Sequence, residues 1–207
     1  MQTVNLWGRK IGMTQLFVGD KVVPVTAIDV AHWVITNVKT KDRDGYVAVQ
    51  IGLPRDRYTE QAFSTDWLKK LSKFFRYVRE IKLTQPAELV IGQPLQITMQ
   101  VAQGDTVHVT GTTKGCGFAG VIRRHDFNGP PGSHGSTMGK RPGAMSFMRS
   151  RGRVIKGKRL PGQMGGDHVM MRGLEVVKII DDSQVILVKG SVPGKTGSLV
   201  SVKKAQG

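Results

Sequence analysis

Apolar and polar positions alternate in short runs along most of the chain. Val22–Val30, Trp33–Val38, Tyr46–Ile51, Thr106–Thr110, Leu174–Ile180, Gln184–Lys189 and Leu199–Val202 are rich in β-branched residues and are bounded by Gly, Asp or Asn, the pattern of half-buried strands. Seven such runs predict a barrel or sandwich. Asp181-Asp182-Ser183, between two of them, has the chemistry of a hairpin turn. Only one stretch has a helical period. After the potential caps Ser64 and Thr65, apolar Trp67, Leu68, Leu71, Phe74 and Phe75 share a face with Lys69, Lys70 and Lys73 opposite, which predicts a helix over 64–75. Residues 75–82 fit a continued helix or a strand equally well. The expected fold is mainly β (α+β), a β-barrel body with a short helical subdomain and a long Gly/Arg/Lys-rich extended loop inserted between strands.

Composition adds what the pattern lacks. The 207 residues carry 31 Lys+Arg against 15 Asp+Glu, a formal charge of +16, which calls for a polyanionic partner. The excess is local. Residues 1–110 carry 14 basic and 10 acidic side chains, residues 111–168 carry 11 and 2, and residues 169–207 carry 6 and 3. The middle stretch also holds 14 of the 26 glycines, and no acid lies between Asp126 and Asp167. Such a segment cannot build an ordinary core, so its backbone polar groups need partners on another molecule.

Several motifs invite a catalytic reading, and their context removes it. Gly115-Cys-Gly-Phe-Ala-Gly120 matches the dinucleotide spacing, but Asn128-Gly-Pro-Pro131 cuts short the helix that must follow, and no acid lies some twenty residues on to hold a ribose. Gly190-Ser-Val-Pro-Gly-Lys-Thr196 has three residues between its glycines where a P-loop has four, and too little chain follows for a nucleotide-binding fold. His32, His108, His125, His134 and His168 show no metal-ligand spacing with one another or with the single Cys116, and one cysteine excludes an internal disulfide. Asp20, Asp29, Asp42, Asp44, Asp56 and Glu60 are scattered among basic neighbours, as turn and surface-pair residues are. No catalytic residue, metal or cofactor is expected. An enzyme using Gly115–Gly120 or Lys195 remains the rival class.

The specific signal is the basic stretch. Arg149, Arg151 and Arg153 alternate and would share one face of an extended backbone, with Lys156, Lys158 and Arg159 following among glycines. Arginine forks engage phosphate oxygens, and Phe127, Met138, Met145, Phe147 and Met148 add groups able to pack on nucleobases. The stretch is too rich in Gly and Pro for an amphipathic membrane helix, and nothing resembles a duplex-reading recognition helix. RNA is the expected partner; a chromatin-like DNA binder is the other nucleic-acid reading. No apolar run is long enough to span a bilayer and the first ten residues lack a signal-peptide pattern, so neither a membrane partner nor secretion is expected.

At this point the residues resemble a known family. Thr110-Gly-Thr-Thr-Lys-Gly-Cys-Gly-Phe-Ala-Gly-Val-Ile-Arg-Arg-His125 is similar to the signature of the bacterial-type L3 family of large-subunit ribosomal proteins. The likeness runs through Gly8-Arg-Lys-Ile-Gly-Met-Thr-Gln-Leu-Phe17, Ser133-His-Gly135, Arg141-Pro-Gly143, Lys156-Gly-Lys-Arg-Leu-Pro-Gly-Gln-Met-Gly165 and Leu187-Val-Lys-Gly-Ser-Val-Pro-Gly194. The resemblance implies a structural, non-catalytic protein of a cytoplasmic or organellar ribosome, bound near the 3′ end of the large-subunit (23S-type) rRNA. It implies a part in early subunit assembly and other large-subunit proteins as neighbours. The implied domains are a β-barrel body, 1–122 and 161–207, and an extended loop, 123–160, reaching toward the peptidyl-transferase centre. About forty residues folded out and back span on the order of 60 Å at ~3.3 Å per residue. The implied rRNA-binding residues are Arg9, Lys10, Lys114, Arg123, Arg124, His125, His134, Lys140, Arg141, Arg149, Arg151, Arg153, Lys156, Lys158 and Arg159. Gln163 matches a glutamine that a methyltransferase converts to N5-methylglutamine in many bacterial members. The chain departs from the family pattern at Cys116, where a basic residue is usual, and at His108, where an acid or amide is common.

Overall fold

The computed structural model describes residues 5–59, 61–83, 89–95, 101–145 and 152–205. Glu60, Phe147, Met148, Arg149 and Arg151 lie outside the described residues. The chain divides into two compact units, 1–112 with 168–207, and 113–167.

The first unit is built from strands. β1 (Leu6–Val18), β2 (Lys21–Asp29), β6 (Thr106–Thr112), β9 (His168–Ile180), β10 (Val185–Lys189) and β11 (Leu199–Lys204) close on one another in the order β1-β11-β6-β9-β10-β2, with every ladder antiparallel. The closure is uneven: register shifts at Lys10/Gly12, Val107/Val109 and Leu187/Val188 bend the strands. Alternation along the strands buries Leu6, Ile28, Val107, Val109, Val176, Ile186, Val188, Val200 and Val202 in one core. Each such side chain contributes about 1.5–3 kcal/mol by leaving water. Gly8 sits on the same inward face, where a Cβ would come within 2.5 Å of the Ile28 Cγ2 and 2.9 Å of the Asp29 carbonyl oxygen. Only glycine lets β1 cross β2 that closely.

Two of the seven expected strands belong to a different sheet. β3 (Val34–Lys39) and β4 (Ala48–Pro54) pair with β5 (Phe75–Lys82) in the order β3-β4-β5. The four-residue helix α1 (Lys41–Asp44) links β3 to β4 and ends on Gly45 at φ 80°. Their buried Ile35, Val49, Ile51 and Ile81 join the same core as the barrel strands. The ambiguity over 75–82 is therefore settled as a strand, whose Ile81 pairs with Val49.

The helix expected over 64–75 is broken. It becomes two single turns, α2 (Asp66–Lys69) and α3 (Leu71–Phe74), separated by Lys70 at φ −136°, ψ 62°. The Trp67 and Phe74 rings stack at 5.4 Å with 3° between their planes. Seven residues of continuous helix would rise about 10.5 Å, so the break brings the rings together. Tyr58, Phe63 and Phe75 close around Trp67 with centroids at 5.8, 5.8 and 5.9 Å. No helix among the described residues is long and apolar enough to cross a membrane.

The candidate RNA interface

The second unit, residues 113–167, is a stem carrying a loop. The Thr113 N–H donates to the Asp167 carbonyl at 2.9 Å and the Cys116 N–H to the Met164 carbonyl at 2.8 Å. Beyond these bonds β7 (Gly117–Ala119) pairs antiparallel with β8 (Gly162–Met164), placing Phe118 opposite Gln163. The short helix α4 (Val121–His125) follows and ends on Asp126 in the left-handed region at φ 56°. Two of its side chains reach the returning chain just before β8: Arg124 Nη1 donates to the Leu160 carbonyl at 2.8 Å, and His125 Nε2 lies 3.1 Å from the same oxygen. Residues 126–159 leave from this neck. Among the described residues of the loop none is buried and none lies in a helix or strand.

Gly165 fixes how the stem closes. Its φ is 71°, and a Cβ there would collide with the Lys114 carbonyl oxygen and lie 3.2 Å from the Gly115 Cα. The obstacle is backbone, so no rotamer change relieves it.

The candidate cations sort into two environments. Lys114, Arg123, Lys140, Arg141, Arg153, Lys156, Lys158 and Arg159 are exposed, as is His134, and all lie in the second unit. Arg124 and His125, half-buried, pin the neck. Arg9 and Lys10 belong to the first unit and have protein partners. Arg9 pairs with Asp29 at 3.2 Å and Asp56 at 3.6 Å. Lys10 is 8% exposed, and its ammonium donates to the Val192 carbonyl at 2.7 Å and the Gly194 carbonyl at 3.2 Å. Those two contacts also dispose of the near-P-loop at Gly190–Thr196. A phosphate cradle presents N–H groups, whereas this turn presents carbonyl oxygens to a cation.

Ion pairing draws the same line. Among the described residues eight ion pairs form, and all eight lie within the first unit. The described cations of 113–167 have none. The first unit also holds an electrostatic cluster around Glu80. There the Glu80 carboxylate accepts from Lys39 Nζ at 2.6 Å and from the Tyr46 hydroxyl at 2.8 Å. Those two bonds hold the Glu80 carboxyl below the ordinary carboxylate range, and the Glu80 and Tyr46 bonds raise the Lys39 ammonium above the ordinary lysine range.

One surface group escaped the sequence reading. Phe118 is 79% exposed, while Ala119 beside it is 4% exposed. Its signal was the brevity of the apolar run between Gly117 and Gly120, too short to require two buried faces. The departures Cys116 and His108 serve the backbone framework: Cys116 through its N–H on the stem, and His108 by accepting the Gly173 N–H at 3.1 Å through Nδ1.

The chain thus combines a β-rich unit with a stem and loop whose described cations form no ion pair. The ribosomal protein L3 family description matches residues 81–185. Relatives called large ribosomal subunit protein uL3 match over almost the whole chain. The one from Shouchella clausii is 41% identical over 204 residues, covering 98% of each chain. That from Pelotomaculum thermopropionicum is 40% identical, covering 97% of this chain and 96% of its own. That from Trichlorobacter lovleyi is 42% identical, covering 95% and 94%. This chain belongs to the ribosomal protein L3 family, a family of ribosomal structural proteins and not of enzymes.

Proposed function

We propose that the chain is a structural constituent of the large ribosomal subunit that binds large-subunit rRNA near its 3′ end early in assembly. The loop at 123–160 threads between RNA helices toward the peptidyl-transferase centre. Lys114, Arg123, Lys140, Arg141, Arg153, Lys156, Lys158 and Arg159 contact phosphates, together with Arg149, Arg151 and His134, while Arg124 and His125 shape the neck. Arg9 and Lys10, held by carboxylates and carbonyls, serve the fold. Gln163 is the substrate of a glutamine methyltransferase; its exposure on β8 supports that reading.

The observation that carries this function is the absence of any ion pair for the described cations of 113–167, while the described residues of the other unit form eight. Eleven Lys/Arg against two acids in that unit would repel one another without an anionic partner. The test replaces residues 127–159 with a short Gly/Ser linker and measures binding to a 3′-terminal fragment of large-subunit rRNA at several salt concentrations. The plot of log affinity against log salt should become shallower by about 0.7–0.9 for each lost phosphate contact. An unchanged slope would refute the loop as the electrostatic contact. Absence of the intact protein from high-salt-washed large subunits would refute the function.

A further inference from the structure

We infer that Phe118 is a stacking platform for an unpaired nucleobase of the bound RNA, a role that rests on the rRNA-binding function proposed above. At 79% exposure it is the barest large apolar side chain among the described residues, and none of the close ring contacts found there includes it. Its position is built. The ladder of β7 against β8 alternates, so Ala119 turns inward at 4% exposure while Phe118 turns outward. Gly117 and Gly120 flank that pair, and open space surrounds where a Cβ would stand at each. A flat ligand therefore meets no neighbouring side chain from either position.

Charge decides what that ligand is. No acid lies between residues 106 and 125, while Lys114, Arg123 and Arg124 fall within six residues of the ring. A protein partner would need an acidic rim to match those cations; a nucleotide brings its phosphate with the base. Gln163, opposite Phe118 and on the same face of the ribbon, supplies an amide that can donate to or accept from a base edge. Any base offers a π face, so the platform contributes affinity without strict sequence choice.

The test uses the full chain with Phe118→Ala, Phe118→Leu and Phe118→Trp, and a 3′-terminal fragment of large-subunit rRNA. Loss of one base stack should weaken Phe118→Ala about 5- to 150-fold with its salt slope unchanged. Phe118→Leu should bind as weakly, Phe118→Trp as well as the parent, and thermal midpoints should all agree because the ring is not part of the core. Equal affinity of Phe118→Ala and parent, or full affinity in Phe118→Leu, overturns the platform and leaves the rRNA function standing. A lowered midpoint in Phe118→Ala marks the ring as structural and also overturns it. If the parent does not bind the fragment, the rRNA function fails and the platform falls with it.

Discussion

Gly165→Ala should damage the stem far more than Gly166→Ala, although the two glycines are adjacent and both left-handed, at φ 71° and 78°. An alanine forced into that region costs roughly 1–2 kcal/mol at either site. At Gly166 nothing lies within 4 Å of the added Cβ, so this strain is the whole effect. At Gly165 the Cβ collides with the Lys114 carbonyl oxygen and lies 3.0 Å from its carbon, and only parting the two sides of the stem makes room. Parting them strains the Cys116 N–H bond to the Met164 carbonyl, next to Gly165, worth about 0.5–1.5 kcal/mol net. The expected cost is therefore about 1.5–3.5 kcal/mol for Gly165→Ala against about 1–2 for Gly166→Ala. Native-state hydrogen exchange of the Cys116 and Thr113 amides reads the stem directly, since a global melt reports mainly on the barrel. Equal loss of protection at Cys116 in the two variants would refute the argument that contact with Lys114, and not backbone strain alone, requires glycine at 165.

Lys10→Met keeps the apolar stem but leaves the Val192 and Gly194 carbonyls without their ammonium donor; at about 1–3 kcal/mol per buried unsatisfied group, urea unfolding should show a loss of about 2–6 kcal/mol, and an unchanged midpoint would exclude the structural role. Glu80→Gln tests the Lys39–Tyr46 cluster through pH. Because the folded-state pKa of Glu80 is depressed, its stabilisation is present above the ordinary carboxylate value of 4.5 and is lost as pH falls through the folded value. Parent and variant should differ in urea midpoint at pH 7, and the difference should shrink progressively as pH falls below 4.5, whereas a constant gap would show that ionisation is not the source.

The strands that could be read in the sequence are those whose cores are set by local alternation. Val107 and Val109, Ile186 and Val188, and Val200 and Val202 all place β-branched residues two apart on the buried face. β1 was not legible as a strand because its inward positions include Gly8 and Lys10. Neither reads as core until β2 presses on Gly8 and the Val192–Gly194 turn receives Lys10. The first half of β9 was hidden for the opposite reason: His168 to Gly173 is exposed throughout, so no apolar face marks it. Periodicity around Trp67 promised one helix, but it could not see that stacking Trp67 on Phe74 would break the chain at Lys70. In the basic unit the charge was legible and the geometry was not. Counting residues located the cations, while the pins from Arg124 and His125 to Leu160 depend on chain segments 35 and 36 residues apart.

In the proposed rRNA complex, loop–RNA contacts would do more than neutralise charge. Ordering a residue costs about 1–2 kcal/mol in backbone entropy, and in a folded domain burial offsets that cost. Residues 126–145 and 152–159 have no buried side chain, and their backbone bonds include isolated turns such as Arg141 N–H to the Met138 carbonyl at 3.1 Å. Over these residues the ordering cost amounts to tens of kcal/mol with no core to meet it. Contacts that order the loop must therefore come from outside the chain, and its exposed cations and apolar groups are of the kinds that phosphates and bases engage. The neck limits the cost: Arg124 and His125 hold both ends of the loop on one carbonyl, so binding orders a closed loop and not two free arms.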